Sequence, residues 1–307
     1  MLVDVSKEEY RRRFTTDPHM FISETFIGMV ENRCDRVVRL MKDDDSSMGL
    51  IAGIKDGILK SPFSAPFGGF HYSHEHQFYY TIFNFLTDLK EYVKKEGLKE
   101  VSIILPPDLY QTNMNAKLVN AFIRAGFTMA TPDICNWADL KNFDGKWAKY
   151  VVEQNCRKAV KHGLTWSMVT DRESMEEGYK VILRNREEQG RKIHMTLDDL
   201  LEMNRIVPVD FFCVKDSEGN TLGAGVFYRG HEKIVQGIFM GDDMERRNLG
   251  IMNLAYKNCF YHYKEMGFDY IDLGTSSFEG EPNIGLIRFK ELHNCLTSLR
   301  YTFSWTL

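Results

Sequence analysis

Gly241-Asp242-Asp243-Met244-Glu245-Arg246-Arg247-Asn248-Leu249-Gly250 decides how this chain is read, because of what flanks it. Upstream, residues 220–228 and 234–240 read as the two arms of a β-hairpin. Downstream, residues 251–266 carry apolar side chains at helical spacing, and Gly267-Phe268-Asp269-Tyr270-Ile271-Asp272-Leu273-Gly274 reads as a buried strand. Strand, Arg/Gly loop and helix in that order leave free backbone N–H groups at the helix start, beside two fixed positive charges. A diphosphate needs those features, so Arg246, Arg247, Asn248, Leu249, Gly250 and Ile251 are the expected pyrophosphate ligands of a cofactor. A helix N-terminus contributes about 0.3–1 kcal/mol toward a nearby anion. Each charge-assisted hydrogen bond adds roughly 1.5–3 kcal/mol, so a few together would hold such a ligand. The bland alternative for the same residues is a solvated turn before an amphipathic helix.

Working outward, the order of elements is stated twice. Residues 36–41 and 49–59 read as hairpin strands across Asp43-Asp44-Asp45-Ser46-Ser47, followed by the Pro/Gly-rich stretch Ser61-Pro62-Phe63-Ser64-Ala65-Pro66-Phe67-Gly68-Gly69-Phe70. A helix over 75–96 stops at Gly97, and Val101-Ser102-Ile103-Ile104-Leu105 is a short strand closed by Pro106-Pro107. A helix over 115–125 and a strand within 127–140 complete the first half. The second half repeats hairpin, loop, helix, glycine and strand, then adds a helix over 283–293 and a final strand over 296–305. Between them, Asp144 is an N-cap for a helix over 145–162 closed by Gly163, a strand covers 164–169, helices cover 172–189 and 196–205, and a strand covers 209–214. The expectation is α+β: two similar lobes, 1–142 and 143–307, each with a mixed sheet flanked by helices.

Composition narrows the class. The chain has 307 residues, 43% hydrophobic and 27% charged, as an ordinary globular protein does. A net charge of −4 argues against a general DNA or nucleic-acid binder. No apolar run is long enough to span a bilayer, and Met1-Leu2-Val3-Asp4-Val5-Ser6-Lys7-Glu8-Glu9 lacks the pattern of a secretion signal. Six scattered cysteines without a C-x-x-C pair read as reduced, mostly buried thiols of a cytoplasmic protein.

Three patches carry a family likeness: Ser61-Pro62-x-x-x-Pro66-Phe67-Gly68-Gly69; Asn155-Cys156-Arg157-Lys158-Ala159-Val160-Lys161-His162-Gly163-Leu164; and Tyr270-x-Asp272-Leu273-Gly274 with Gly285-Leu286-x-x-Phe289-Lys290. With Arg247-x-x-Gly250-x-Met252, these make the chain resemble the GNAT superfamily, and more closely its tandem-lobed branch, which includes the Fem-type aminoacyltransferases. Met252 departs from the Gly/Ala of that loop, and its side chain would obstruct a phosphate. The resemblance implies an acyl-CoA donor, acetyl-CoA first, and transfer to the amine of a small-molecule or peptide-like substrate. It puts Asp272 and Lys290 at a cleft of the second lobe, with Ser276 and Glu281 in the intervening loop to supply a hydroxyl or a base. Arg157 becomes a phosphate or carboxylate ligand, and Gly68, Gly69 and His74 line the first-lobe cleft. An ion pair of Asp272 with Lys290 or Arg288 is the structural alternative.

His71-x-x-His74-x-His76 invites a metal, but residues two apart on a helix do not share a face and no Cys or carboxylate cluster completes a set, so no metal is expected. No Ser-His-Asp or Cys-His pattern stands out, which suits direct transfer from a thioester whose thiol, of pKa near ~8.5, leaves easily. Two rivals stay open. A Fem-type enzyme would use aminoacyl-tRNA, although residues 172–205 contain no long charged coiled coil. A degenerate tandem lobe would bind a ligand without turnover.

Overall fold

The computed structural model describes residues 1–43, 47–74, 77–193 and 195–307. The chain begins with β1 (Leu2–Asp4), α1 (Lys7–Arg13) and α2 (Glu24–Val30), then β2 (Arg36–Lys42), β3 (Met48–Lys55), β4 (Ile58–Ser61) and β5 (Phe70–Tyr72). Next come α3 (Tyr79–Lys95), β6 (Glu100–Ile104), α4 (Asp108–Arg124), β7 (Thr128–Met129) and β8 (Asp133–Asp139). The middle comprises α5 (Tyr150–Lys161), β9 (Thr165–Val169), α6 (Arg172–Glu188), α7 (Leu197–Glu202), β10 (Val209–Lys215), β11 (Thr221–Tyr228), β12 (Ile234–Asp242), α8 (Ile251–Glu265) and β13 (Tyr270–Thr275). A hairpin of β14 (Ser277–Phe278) and β15 (Glu281–Pro282) precedes α9 (Ile284–Leu292), β16 (Leu296–Arg300) and β17 (Thr302–Thr306).

Two compact units result. One holds Met1–Ile134, Ser277–Pro282 and Ser298–Leu307; the other holds Cys135–Ser276 and Asn283–Thr297. The first sheet runs β1-β2-β3-β4-β6-β17-β7, with β5 paired onto β3. Its β4 and β6 are parallel and joined by the crossover helix α3, whose Ile82, Phe85, Leu86, Leu89 and Val93 are buried against the sheet residues Leu50, Leu59, Val101 and Ile103. The second sheet runs β16-β8-β13-β12-β11-β10-β9. Phe212, Phe227, Val235 and Ile271 share its core with Ile251, Leu254, Ala255 and Cys259 of α8 and Ala159 of α5. Gly178 lets α6 lie close to the same sheet: a Cβ there would stand 3.0 Å from Ala224 Cβ and Cys213 Sγ. The fold is therefore α+β, with two lobes of mixed sheet flanked by helices.

Several element expectations change on contact with the structure. The single strand over 49–59 is two, because Asp56 (φ 51) and Gly57 (φ 78) form a two-residue turn of the Asp-Gly hairpin type. The helix over 145–162 starts only at Tyr150. Gly145 sits at φ 85, outside helical space, and Asp144 accepts from Lys146 N (3.0 Å) in a local turn rather than capping the helix. The helix over 75–96 begins at Tyr79; Glu75 and His76 lie outside the described residues, as do Asp44, Asp45 and Ser46. The helix expected from residue 115 is preceded by helical turns from Asp108, directly after Pro106-Pro107, with a break at Gln111 (φ −158, ψ 54). The final strand over 296–305 is broken at Tyr301, and its second part is inserted between β6 and β7 of the first sheet. There Phe303 stacks on Phe122, with centroids 4.4 Å apart and planes within 3°. Strand β1 and helices α1 and α2 are additional to the sequence reading. All six cysteines are free and five are buried. No helix among the described residues is long and apolar enough to cross a membrane.

Candidate functional site

The second sheet opens where β12 and β13 part. They are parallel and paired only at Ile234↔Tyr270, Val235↔Ile271 and Gln236↔Asp272, while β12 continues to Asp242 along β11. Beyond Asp272, β13 meets Gly274 at φ 68 and pairs irregularly with β8. The stretch Gly237–Asp242 is thus paired on its β11 side alone among the described residues. It leads into the loop quoted at the outset, which closes with a 3-10 turn at Arg247–Leu249 and Gly250.

Glycine at 250 is required twice over. Its φ is 83, and a Cβ would come within 2.5 Å of the Asn155 carbonyl oxygen on α5. The residue therefore allows α5 to pack against the loop. No side chain caps the first turn of α8, and residues 245–248 are exposed in front of it. Met252 packs against the apolar core of the unit. Arg246 is loosely held, 3.9 Å from both Asp216 and Asp243. Arg247 is held firmly: Nε and Nη2 donate to the Asp242 carboxylate at 3.1 and 2.7 Å, which raises the guanidinium pKa. Asp242 is 3% exposed against 52% for Arg247, and Asn185 on α6 donates to its carboxylate (3.0 Å) and its carbonyl (2.8 Å). One loop arginine is thus already neutralised by a buried acid.

Three other expected residues come together at the end of β13. Lys290, 2% exposed on α9, donates to the carbonyls of Leu273 (2.8 Å) and Gly274 (3.3 Å) and to Ser276 Oγ (2.8 Å). Ser276 Oγ donates onward to Asn136 Oδ1 (2.6 Å), and Asn136 Nδ2 to Thr297 Oγ1 (3.3 Å). Lys290 has three N–H groups and all are engaged, so it ties the end of β13 to α9. Burial pushes its ammonium down to about 8, partly countered by Asp272. Asp272 is also buried; its Oδ1 accepts from Gly274 N (2.8 Å), and Gln236 Nε2 lies 3.4 Å from Oδ2. Lys290 pairs with the two carbonyls and the hydroxyl, and the Asp272 charge acts on it within the same unit.

His293 was not singled out from the sequence. It is fully buried, with Nδ1 donating to the Phe289 carbonyl (2.7 Å) and Nε2 accepting from Asn253 Nδ2 (3.2 Å) in the first turn of α8. Burial pushes its pKa down to about 4. The available signals for Asn136 and His293 were a polar residue between apolar neighbours at mid-strand and a histidine four positions from Phe289.

The remaining expected residues lie elsewhere. Arg157 is exposed on α5 and pairs with Glu153 (3.2 Å). Gly68, Gly69 and His74 belong to the first unit. A Cβ at Gly68 would meet Ser61 Oγ at 2.5 Å, and its carbonyl accepts from His19 Nε2 (3.0 Å). Gly69 is buried at φ 115. His74 is exposed and bonded to Ser73 Oγ (2.8 Å). Glu281 is exposed on the β14–β15 hairpin, which Asp133 clamps by accepting from Ser277 Oγ (2.7 Å) and Gly280 N (3.1 Å). The histidine trio does not assemble a ligand set from its described members. His71 is buried, with Nδ1 accepting from Tyr10 Oη (3.0 Å) and Nε2 donating to Asp17 (2.9 Å). No group of three metal-ligating side chains occurs among the described residues.

No protein-family model matches the sequence, and no curated protein does. Solved structures do match. FemX aligns over 100% of this chain and 97% of its own, with 13% identity and a TM-score of 0.67. The fold is that of the tandem GNAT and Fem-type acyltransferases. L-PGS from Bacillus licheniformis aligns over 98% of this chain and 92% of its own (14% identity, TM-score 0.60). A tandem GNAT protein from the clavulanic acid biosynthesis pathway aligns over 100% and 98% (12% identity, TM-score 0.56). In this tandem GNAT fold, the parted strands and the uncapped helix α8 occur in the second unit.

Proposed function

We propose that this protein is an N-acyltransferase that moves an acyl group, acetyl first, from an acyl-CoA to the amine of a small-molecule or peptide-like substrate. One observation carries the reading: the opening between β12 and β13 runs into an exposed Arg/Gly loop and an uncapped helix start. Free amides of β12 would hold the pantetheine chain, and the amides opening α8, with Arg246, would take the diphosphate. Transfer then needs a neutral amine, a polarised carbonyl and a tolerated thiolate. A backbone amide aimed at the developing oxyanion is worth roughly 2.7–4 kcal/mol in comparable sites. Lys290 and Ser276 would set the backbone that supplies such amides. Asp272 is the candidate for the base within that unit, a role typically worth about 10²–10⁴-fold.

A different reading draws on Arg247, whose guanidinium already has the Asp242 carboxylate. It favours a partner without a diphosphate at this loop, either an aminoacyl-tRNA donor or a ligand held without turnover. Thermal denaturation separates the readings. Acetyl-CoA at a hundred times its Kd should add about 2.7 kcal/mol of apparent stability. An Arg246→Ala variant should fold and lose part of that increment. No shift with acetyl-CoA or a longer acyl-CoA would transfer the weight to the second reading.

A further inference from the structure

Arg186 is a guanidinium without a carboxylate. It stands in the last turn of α6, yet its side chain leaves the helix and donates Nη2 to the Met240 carbonyl (3.3 Å), on the part of β12 that β13 has left. Among the described residues it forms no ion pair, whereas Arg172, Arg205, Arg229 and Arg247 each do; Arg184, Arg191 and Arg288 form none either, but they are exposed and Arg186 is half-buried. Arginine has five N–H donors, and this bond uses one. Burial lowers its pKa, and Arg191 lowers it further. Its charge also acts on Tyr256 of α8 and on Lys290, all three in the second unit. A half-buried planar fork with donors to spare is matched to a compact oxyanion, which it can grip through two parallel hydrogen bonds.

We propose that Arg186 is the recognition residue for an oxyanion carried by the acceptor, so that the acylated amine belongs to a molecule bearing a carboxylate or a phosphate. This rests on the acyltransferase reading for its use in transfer, but the binding itself can be measured without turnover. Neighbouring Asn185 is committed to Asp242, which supports the donor loop, so α6 would serve donor and acceptor from successive residues.

Calorimetric titration with matched probes tests the assignment. Glycine and glycinamide differ in the carboxylate, and inorganic phosphate supplies the other oxyanion; each is titrated with CoA present and absent. Wild-type protein should bind glycine or phosphate about ten- to a hundred-fold more tightly than glycinamide, the ratio expected of one charge-assisted contact. Arg186→Met should abolish the preference, and Arg186→Lys, which keeps the charge without the fork, should retain part of it. Loss only for glycine assigns a carboxylate, and loss only for phosphate assigns a phosphate. Equal binding of all three probes, or a preference that survives in a folded Arg186→Met protein, overturns the proposal. So does a loss confined to acetyl-CoA binding, which would place Arg186 on the donor. Acetyl-CoA stabilisation of the wild type is read separately, so the donor site can fail while the oxyanion site stands, and the reverse.

Discussion

His293 is neutral in the folded chain because nothing solvates its charge: a carbonyl takes one nitrogen, an amide the other, and Phe289, Tyr256 and Trp147 surround the ring. Its folded pKa of about 4 lies below the ordinary 6.5. The unfolded chain therefore binds the proton more tightly, and stability falls as pH drops from 6.5 toward 4. The loss from this one group amounts to about 2.5 kcal/mol at pH 4.5. Urea denaturation of wild type and His293→Gln at pH 7 and pH 4.5 should show a shallower fall in the variant. Parallel falls would mean that the ring is not held neutral. At this scale the sequence was partly legible. Asp272, Ser276 and Lys290 do meet in one unit, whereas their partner Asn136 is far away in the chain, and no local spacing announces it.

Loop and helix together tell the next story. The start of α8 was readable to the residue because Gly250 and Gly267 punctuate it, and both have positive φ. What could not be read was the choice made by Arg247. Asp242, Asp243 and Glu245 all lie within five positions of it, and only the turn at 247–249 selects Asp242. Likewise Gly250 was expected among the pyrophosphate ligands, and the structure adds its close approach to the carbonyl of Asn155. Gly250→Ala should cost roughly 1–3 kcal/mol from the left-handed φ alone, with more from the clash. The change should lower the Tm and increase amide exchange in α5 and the first turn of α8. An unaltered Tm would contradict the packing described here.

Across the whole chain, the repeated element order was legible, because hairpin, crossover helix and parallel strand each carry their own periodicity. The exchange at the C-terminus was not. Residues 296–306 form one β-prone run without Gly or Pro, and nothing local marks the point at which the chain changes sheets. Deleting Ser298–Leu307 would remove β17 from between β6 and β7 and take Phe303 off Phe122. The expected result is loss of cooperative unfolding in the first unit, seen as loss of amide protection in β6 and α4. Retained protection there would show that the sheet closes without its inserted strand.

That inserted strand also orders events during synthesis. When β6 emerges from the ribosome, the segment that will sit against it has not been translated, and at ordinary elongation rates it follows roughly ten to forty seconds later. Until then the row of N–H and C=O groups along Val101–Ile103 faces no neighbour on that side and is open to any extended peptide nearby. The amino-terminal half is made first but can complete its sheet only once β17 has been made, so its β6 edge stays open over that interval.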